Sequence, residues 1–346
     1  MKKEMLLVAA GGIGDTVLLA HALPYFLSLA GGEKISLLLR HDAARVAFLF
    51  PSEIEIIRIN FKDYSKKWLY RFKINRELRR RNFARVISLD YLRHPLLDEK
   101  MISACRAKEN FAMEPRAWPK YQVQLNKNRS LYTKLFNSGT VLQDKILRLL
   151  AFAEFLIGQR IKPSPLKLMA NPFVNKEKIL VIQPFSAVKE KQFPASFYQK
   201  LFAHLPQDFA KVLLGAPNDL EKNPEFKELL ELPNVSFDKS GFQEIIPLLQ
   251  KAALVLSVDT GLMHLAAGVE ANTLCIASAA YVGEVVPYAS ELIPSNLEFI
   301  YQPMICQSCL GNCSFPAVDG MYPCLAKLDK AEIIDRIDSM LFIDGK

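Results

Sequence analysis

The sequence predicts an α/β fold of two doubly wound, Rossmann-like domains. Three observations support this. Short β-branched or Leu-rich runs alternate with longer amphipathic stretches, the pattern of parallel strands joined through helices. At 346 residues, the chain exceeds what one hydrophobic core usually organises. Near its middle, Ile161-Lys162-Pro163-Ser164-Pro165, extended by Asn171-Pro172, interrupts the alternation. Two prolines in three residues suit a linker and not a sheet. The expected organisation is residues 1–160, residues 161–328 with a Cys-rich loop at 306–324, and a packing helix in 329–346.

In chain order, strands are expected at Met5–Ala10, Ile35–Leu39, Ile54–Ile59 and Val86–Asp90, with helices beginning near Asp15, His41 and Lys66. In the second half, strands are expected at Ile179–Gln183, Val212–Leu214, Val235–Phe237, Leu254–Ser257 and Thr273–Ile276. Helices fit Ala195–His204, Asp219–Leu232, Phe242–Ala252 and the tail Asp329–Phe342. In that tail Ile333, Ile334, Ile337, Leu341 and Phe342 recur at helical spacing.

Half the residues are apolar, which excludes a disordered chain. No uninterrupted apolar run approaches the roughly 18 residues that cross a bilayer. The start, Met1 to Ala10, reads as a first strand and not a signal peptide, because Glu4 precedes a short apolar segment and a glycine loop follows. A cytoplasmic protein is expected.

The net charge of +8 is unevenly distributed. Residues 1–160 hold 28 Lys and Arg against 15 Asp and Glu, and residues 161–346 hold 16 against 21. Much of the surplus lies in Lys62–Arg85. Nucleic acid, an anionic membrane surface and a phosphorylated glycolipid all fit such a surplus, as does a solvated helix face.

Three loops follow predicted strands. The first is Gly11-Gly12-Ile13-Gly14-Asp15-Thr16, whose glycines let backbone approach a ligand closely. Its spacing fails the dinucleotide fingerprint, which argues against a nicotinamide-dependent oxidoreductase. Asp15 reads equally well as a helix N-cap. The second, Gln183 to Pro194, carries Ser186 and Lys191, suited to phosphate oxygens or simply to solvent. In the third, Ser257-Val258-Asp259-Thr260-Gly261-Leu262-Met263-His264, a strand runs through a tight turn into a small-residue helix. Unpaired N–H groups at such a helix start form an anion site suited to a phosphate or diphosphate.

Of six cysteines, Cys306, Cys309, Cys313 and Cys324 form C-x2-C-x3-C-x10-C. In a reducing compartment this points to metal before disulfide, and four thiolates could surround zinc or iron tetrahedrally. Four reduced thiols in a packed loop are the alternative.

Taken in chain order, Gly-Gly-Ile-Gly-Asp-Thr, Lys-x-Phe-Pro and Asp-Thr-Gly-Leu-Met-His-Leu-Ala-Ala resemble glycosyltransferase family 9, which includes the ADP-heptose:lipopolysaccharide heptosyltransferases. The resemblance runs from Met5 to about Cys324. It implies a GT-B arrangement, with two Rossmann-like domains facing across a cleft, acceptor on the first and nucleotide-sugar on the second. It also implies an inverting, metal-independent transfer of heptose from ADP-heptose, or a similar donor, to an anionic glycolipid core acceptor. The enzyme would sit peripherally on the cytoplasmic face of the inner membrane, with no nucleic-acid partner and no catalytic cofactor.

By motif, Asp15 would be the general base, in a loop formed by Gly11, Gly12 and Gly14. Lys191 would meet the donor diphosphate or sugar, with Ser186 nearby. Thr260, Gly261 and Leu262 would present N–H groups to the diphosphate, and Asp259 and His264 would lie around the transferred sugar. Phe193 stands where the family often has Trp. Another nucleotide-sugar, a protein acceptor, or a non-catalytic nucleotide-sugar-binding protein are the alternatives.

Overall fold

A computed structural model of the chain describes residues 4–173 and 175–342, without the side chain of Phe342. Met1 to Lys3 of the predicted first segment and residues 343–346 of the predicted tail lie outside it. The chain divides into two compact units between Pro163 and Ser164, inside the proline-bearing segment.

The first unit runs β1 (Glu4–Ala9), α1 (Ile13–Leu27), β2 (Lys34–Arg40), β3 (Glu55–Ile59), α2 (Phe61–Lys66), α3 (Trp68–Arg81), β4 (Arg85–Ser88), α4 (Asp98–Cys105), β5 (Glu109–Met113), α5 (Gln122–Asn128), β6 (Lys134–Phe136) and α6 (Lys145–Ile157). Its strands pair in parallel in the order β3-β2-β1-β4-β5-β6. After Glu4, central β1 is apolar because helices cover both faces of the sheet, and Met5, Leu6, Leu7 and Val8 are wholly buried. One apolar cluster joins Leu6, Val8 and Leu38 of the sheet to Ile74 and Leu78 of α3 and Met101 of α4.

With the 3-10 turn that continues it, α1 spans Ile13–Ala30, 18 residues of mean hydropathy 1.4, a length and composition sufficient to cross a membrane. Its Val17, Leu18, Leu19, Ala22, Leu23 and Phe26 are buried in the unit's core, where it packs on α6.

The second unit runs β7 (Glu177–Gln183), α7 (Ala195–His204), β8 (Ala210–Leu214), α8 (Asp219–Lys222), β9 (Val235–Asp238), α9 (Ile246–Lys251), β10 (Ala252–Val258), α10 (Gly261–Gly268), β11 (Thr273–Ile276), β12 (Leu297–Ile300), α11 (Pro323–Ala326) and α12 (Lys330–Phe342). The parallel order β12-β11-β10-β7-β8-β9 repeats the doubly wound topology of the first unit. Ile333, Ile337 and Met340 of α12 join the same core as Leu201 and Phe202 of α7 and Leu254 and Leu256 of β10.

Several local expectations change. The helix expected from His41 is a 3-10 helix, Ala43–Leu49. The one expected near Lys66 is two helices, separated by the extended backbone of Lys67. The predicted helix Asp219–Leu232 breaks at Pro224, which lacks the N–H needed to continue it, into α8 and a 3-10 helix. The predicted Phe242–Ala252 helix begins only at Ile246, and Ala252 already belongs to β10. The strand predicted over Val86–Asp90 ends at Ser88, which leaves Asp90 in a loop. Strands β5, β6 and β12 were not expected, since short runs such as Glu109–Met113 and Lys134–Phe136 carry little β-branched signal.

Candidate active site

In a doubly wound sheet, ligands bind beyond the carboxyl ends of the strands where the strand order reverses. Those points lie between β1 and β4 in one unit and between β7 and β10 in the other. The predicted loops occupy both.

In the first unit Gly12 is the N-cap of α1, and Asp15, at the third helical position, accepts the Gly12 N–H at 2.8 Å. Asp15 therefore closes a capping box and is not itself the N-cap. Thr16 donates its hydroxyl to the Gly12 carbonyl at 2.9 Å, and Gly14 lies in the first turn. At Gly11 an added Cβ would come within 2.5 Å of the Asp15 Cβ and 2.6 Å of its Oδ2, so only glycine allows this approach. The second oxygen of Asp15, Oδ1, accepts from Lys145 Nζ at the start of α6. From the end of β4, Asp90 accepts the Ala10 N–H at 2.5 Å, tying the glycine loop to the neighbouring strand. Burial lifts the Asp90 carboxyl to about 6, and the negative charge of Asp15 adds to the effect.

Behind this loop, Arg93 and Glu99 form a fully buried ion pair at 2.9 Å, completed by Tyr132 and Asn128 donating to Glu99. Nearby Asp98 accepts the His94 N–H at 2.9 Å, and burial holds its carboxyl well above the usual range. A buried charge pair with its hydrogen bonds satisfied holds this segment in one arrangement.

In the second unit Lys191 and Asp259 meet: Nζ lies 3.0 Å from Oδ2, with both side chains nearly buried. The Lys191 ammonium also sits 4.1 Å from the centre of the Tyr281 ring, a cation–π contact. Ser278 donates to the same Asp259 oxygen at 3.0 Å. Among the described residues, the other oxygen, Oδ1, is buried without a hydrogen-bond partner. Burial raises the Asp259 carboxyl, and Lys191 opposes the rise.

Thr260 is the N-cap of α10, yet its side chain does not cap the helix. It donates instead to Gln183 Oε1 at 2.8 Å, which also receives the Ser257 hydroxyl at 3.0 Å. The first turn, beginning at Gly261 and Leu262, therefore has N–H groups with no capping side chain. His264 is buried, its ring nearly parallel to that of Tyr288 and its Nδ1 hydrogen-bonded to the Tyr288 hydroxyl. Ser186 is bonded within its own loop, its hydroxyl accepting the Val188 N–H at 3.1 Å.

Three of the four predicted metal ligands, Cys306, Cys309 and Cys313, lie in a loop of unusual backbone, and Cys324 lies in α11. Ser308, Leu310 and Gly311 all have positive φ, and the Ser308 and Leu310 N–H groups bond the carbonyls of Ala279 and Ala280. Burial pushes the Cys306 thiol up, and the neighbouring Cys313 and Cys309 add to the rise. Among the described residues, however, no group of three or more His, Cys, Asp or Glu is placed to hold a metal ion. What the loop does is support Tyr281: a Cβ at Gly311 would reach the Tyr281 hydroxyl at 3.0 Å.

Lys145, Asp90, Gln183, Ser278, Tyr281 and Tyr288 were missed by the sequence reading. Gln183 was visible as the residue ending a strand. The others pair across long sequence separations and carry no local pattern.

A family model described as glycosyltransferase family 9 (heptosyltransferase) matches residues 71–309, well over half of the chain. The chain belongs to glycosyltransferase family 9. This family 9 enzyme is a glycosyltransferase, and its fold agrees with solved structures over nearly their whole length. One is the glycosyl transferase family 9 protein of Veillonella parvula, at 14% identity and TM-score 0.72, covering 99% of this chain and 97% of that one. Another is the E. coli ADP-heptose lps heptosyltransferase II, at 14% identity and TM-score 0.71, covering 100% of both chains. The third is E. coli heptosyltransferase WaaC with ADP-2-deoxy-2-fluoro heptose, at 16% identity and TM-score 0.69, covering 97% of this chain and 99% of that one. No curated protein matches the chain in sequence. The fold class is thus the predicted α/β GT-B type, built from two Rossmann-like units.

Proposed function

We propose that this enzyme transfers a heptose from ADP-heptose to a lipopolysaccharide or lipooligosaccharide core acceptor, with inversion at the anomeric centre and without a catalytic metal. The observation that carries the reading is the Lys191–Asp259–Tyr281 cluster beside the uncapped start of α10. A departing nucleoside diphosphate gathers negative charge. A fixed ammonium and a set of helix N–H groups stabilise that charge without a divalent ion. WaaC, solved with an ADP-linked fluoro-heptose, supports an ADP-sugar as the donor class.

Asp15 would take the proton from the acceptor hydroxyl. Its carboxylate is half-exposed, with Gly12 and Lys145 fixing its orientation. Attack opposite the leaving group then inverts the sugar centre. General-base catalysis of this kind contributes about 10²–10⁴-fold. His264 and the second Asp259 oxygen would contact the transferred sugar. The basic surplus of the first half suits an anionic glycolipid and a peripheral position on the cytoplasmic face of the inner membrane.

The test is incubation with ADP-heptose and truncated lipopolysaccharide acceptors, followed by mass spectrometry of the product. ADP should raise the melting temperature more than UDP, GDP or NAD, since a ligand that binds the folded state stabilises it. Asp15→Asn should lose product formation while keeping the ADP shift. Turnover near wild type in that variant would remove Asp15 from the mechanism, and a preference for NAD would sink the transferase reading.

A further inference from the structure

Helix α3 has two unlike faces. Ile74 and Leu78 are buried in the core of the first unit, with Tyr70, Asn75 and Arg81 partly covered beside them. With about 3.6 residues per turn, the opposite face begins with Trp68, Leu69 and Phe72. These three are 71%, 63% and 63% exposed. Large apolar side chains clustered on one exposed arc mark an interaction site, whereas single ones need no explanation.

The surroundings of this cluster are cationic. Lys66 and Lys67 precede it, and Lys73, Arg76, Arg79 and Arg80 follow on the same outward arc, all exposed. Acidic groups along the stretch are few: Asp63 pairs with Lys67 at 3.0 Å, and Glu77 lies at the border of the outward face. The sequence therefore sets an apolar patch at the start of α3 between two basic flanks, one just before the helix and one along it.

We infer that the outward face of α3 docks on an anionic bilayer. Trp68, Leu69 and Phe72 enter the boundary between headgroups and acyl chains, and the flanking lysines and arginines meet anionic headgroups. The helix has 14 residues, too few to span a membrane but enough to lie along its surface. Trp suits that depth because its ring is apolar and its N–H is polar. A second copy of the chain is a poor occupant, since it would press the same basic flanks against each other, and like charges repel. This assignment deepens the peripheral association proposed above and rests on that reading for its setting.

The chain has two tryptophans, so Trp118→Phe leaves Trp68 as the sole indole reporter. Vesicles of phosphatidylglycerol and phosphatidylcholine should blue-shift its emission and shield it from an aqueous quencher. Vesicles of phosphatidylcholine alone should do so far less, and added salt should weaken the effect. The triple variant Trp68→Ala, Leu69→Ala, Phe72→Ala should co-sediment with the anionic vesicles at least about tenfold less. It should still transfer sugar to a soluble acceptor. Absence of the blue shift, or a triple variant that binds as tightly as the parent, overturns the inference. So does a lipid-free dimer that the triple variant abolishes. A protein that binds vesicles but transfers no heptose fails the transferase reading alone. One that transfers heptose but ignores vesicles fails this inference alone.

Discussion

Replacing Lys191 with Met leaves the Asp259 carboxylate buried without its cation. In the wild type Lys191 Nζ stands 3.0 Å from Oδ2 and 3.4 Å from the Asp259 carbonyl, over the Tyr281 ring at 4.1 Å. The side chains are 10% and 3% exposed, so solvent screens the pair little. Met keeps most of the packing volume, so the penalty is chiefly electrostatic. Removing one partner of a buried pair costs about 3–5 kcal/mol. At about 2–4 °C per kcal/mol for a unit of this size, the second unit should melt roughly 6–20 °C lower.

The penalty has a definite pH dependence. Burial already raises the folded Asp259 pKa, and Lys191 holds the rise in check, so the variant raises it further. A carboxyl with a raised folded pKa contributes stability in acid and loses it as pH rises through the folded value. The Lys191→Met penalty should therefore be small near pH 4 and grow toward pH 8. Adding Asp259→Asn removes the stranded charge and should recover most of the loss at pH 8. Urea unfolding of the two variants and the parent at both pH values tests this. An equal penalty at both, or a double variant no more stable than the single, would refute the electrostatic account.

Gly11→Ala should displace Asp15, because the new Cβ would sit 2.5 Å from the Asp15 Cβ. Product formation should fall by orders comparable to losing the base, about 10²-fold or more, while ADP affinity, read by calorimetry, stays unchanged. Asp90→Asn should flatten one part of the stability–pH curve. Asp90 titrates at about 6 in the fold against 3.8 ordinarily, so its stabilising share is complete below pH 3.8 and lost as pH rises through 6. Thermal melts of the parent and Asp90→Asn across that range would check it. Gly311→Ala forces a φ of +85° on an L-residue and presses on the Tyr281 hydroxyl, costing about 1–2 kcal/mol. Because Tyr281 stacks on Lys191, ADP should also bind more weakly.

How much was legible follows from the range of the forces involved. Buried stretches of parallel strand read as continuous apolar runs, so the inner parts of β1, β7 and β10 stood out in the sequence. Helix α7 was expected over Ala195–His204, the residues it occupies. The glycine loop, the lysine loop and the Asp259 turn were visible because each follows a strand at once, and chain order linked them to one family. Where backbone chemistry outweighed periodicity, the reading slipped: Pro224 cut one helix in two, and Lys67 separated two others.

By itself, the sequence determined the α/β class, the proline-marked division, and which loops carry charge at strand ends. These are properties of near neighbours and of repeating pattern. Tertiary structure alone decided the partners: Lys145 for Asp15 across 130 residues, Lys191 for Asp259 across 68, and Tyr281 under the ammonium. It also set the cysteine loop against Ala279, Ala280 and Tyr281. Strand order set those outcomes by bringing distant loops to the same sheet edge, and no local spacing encodes which side chains meet there.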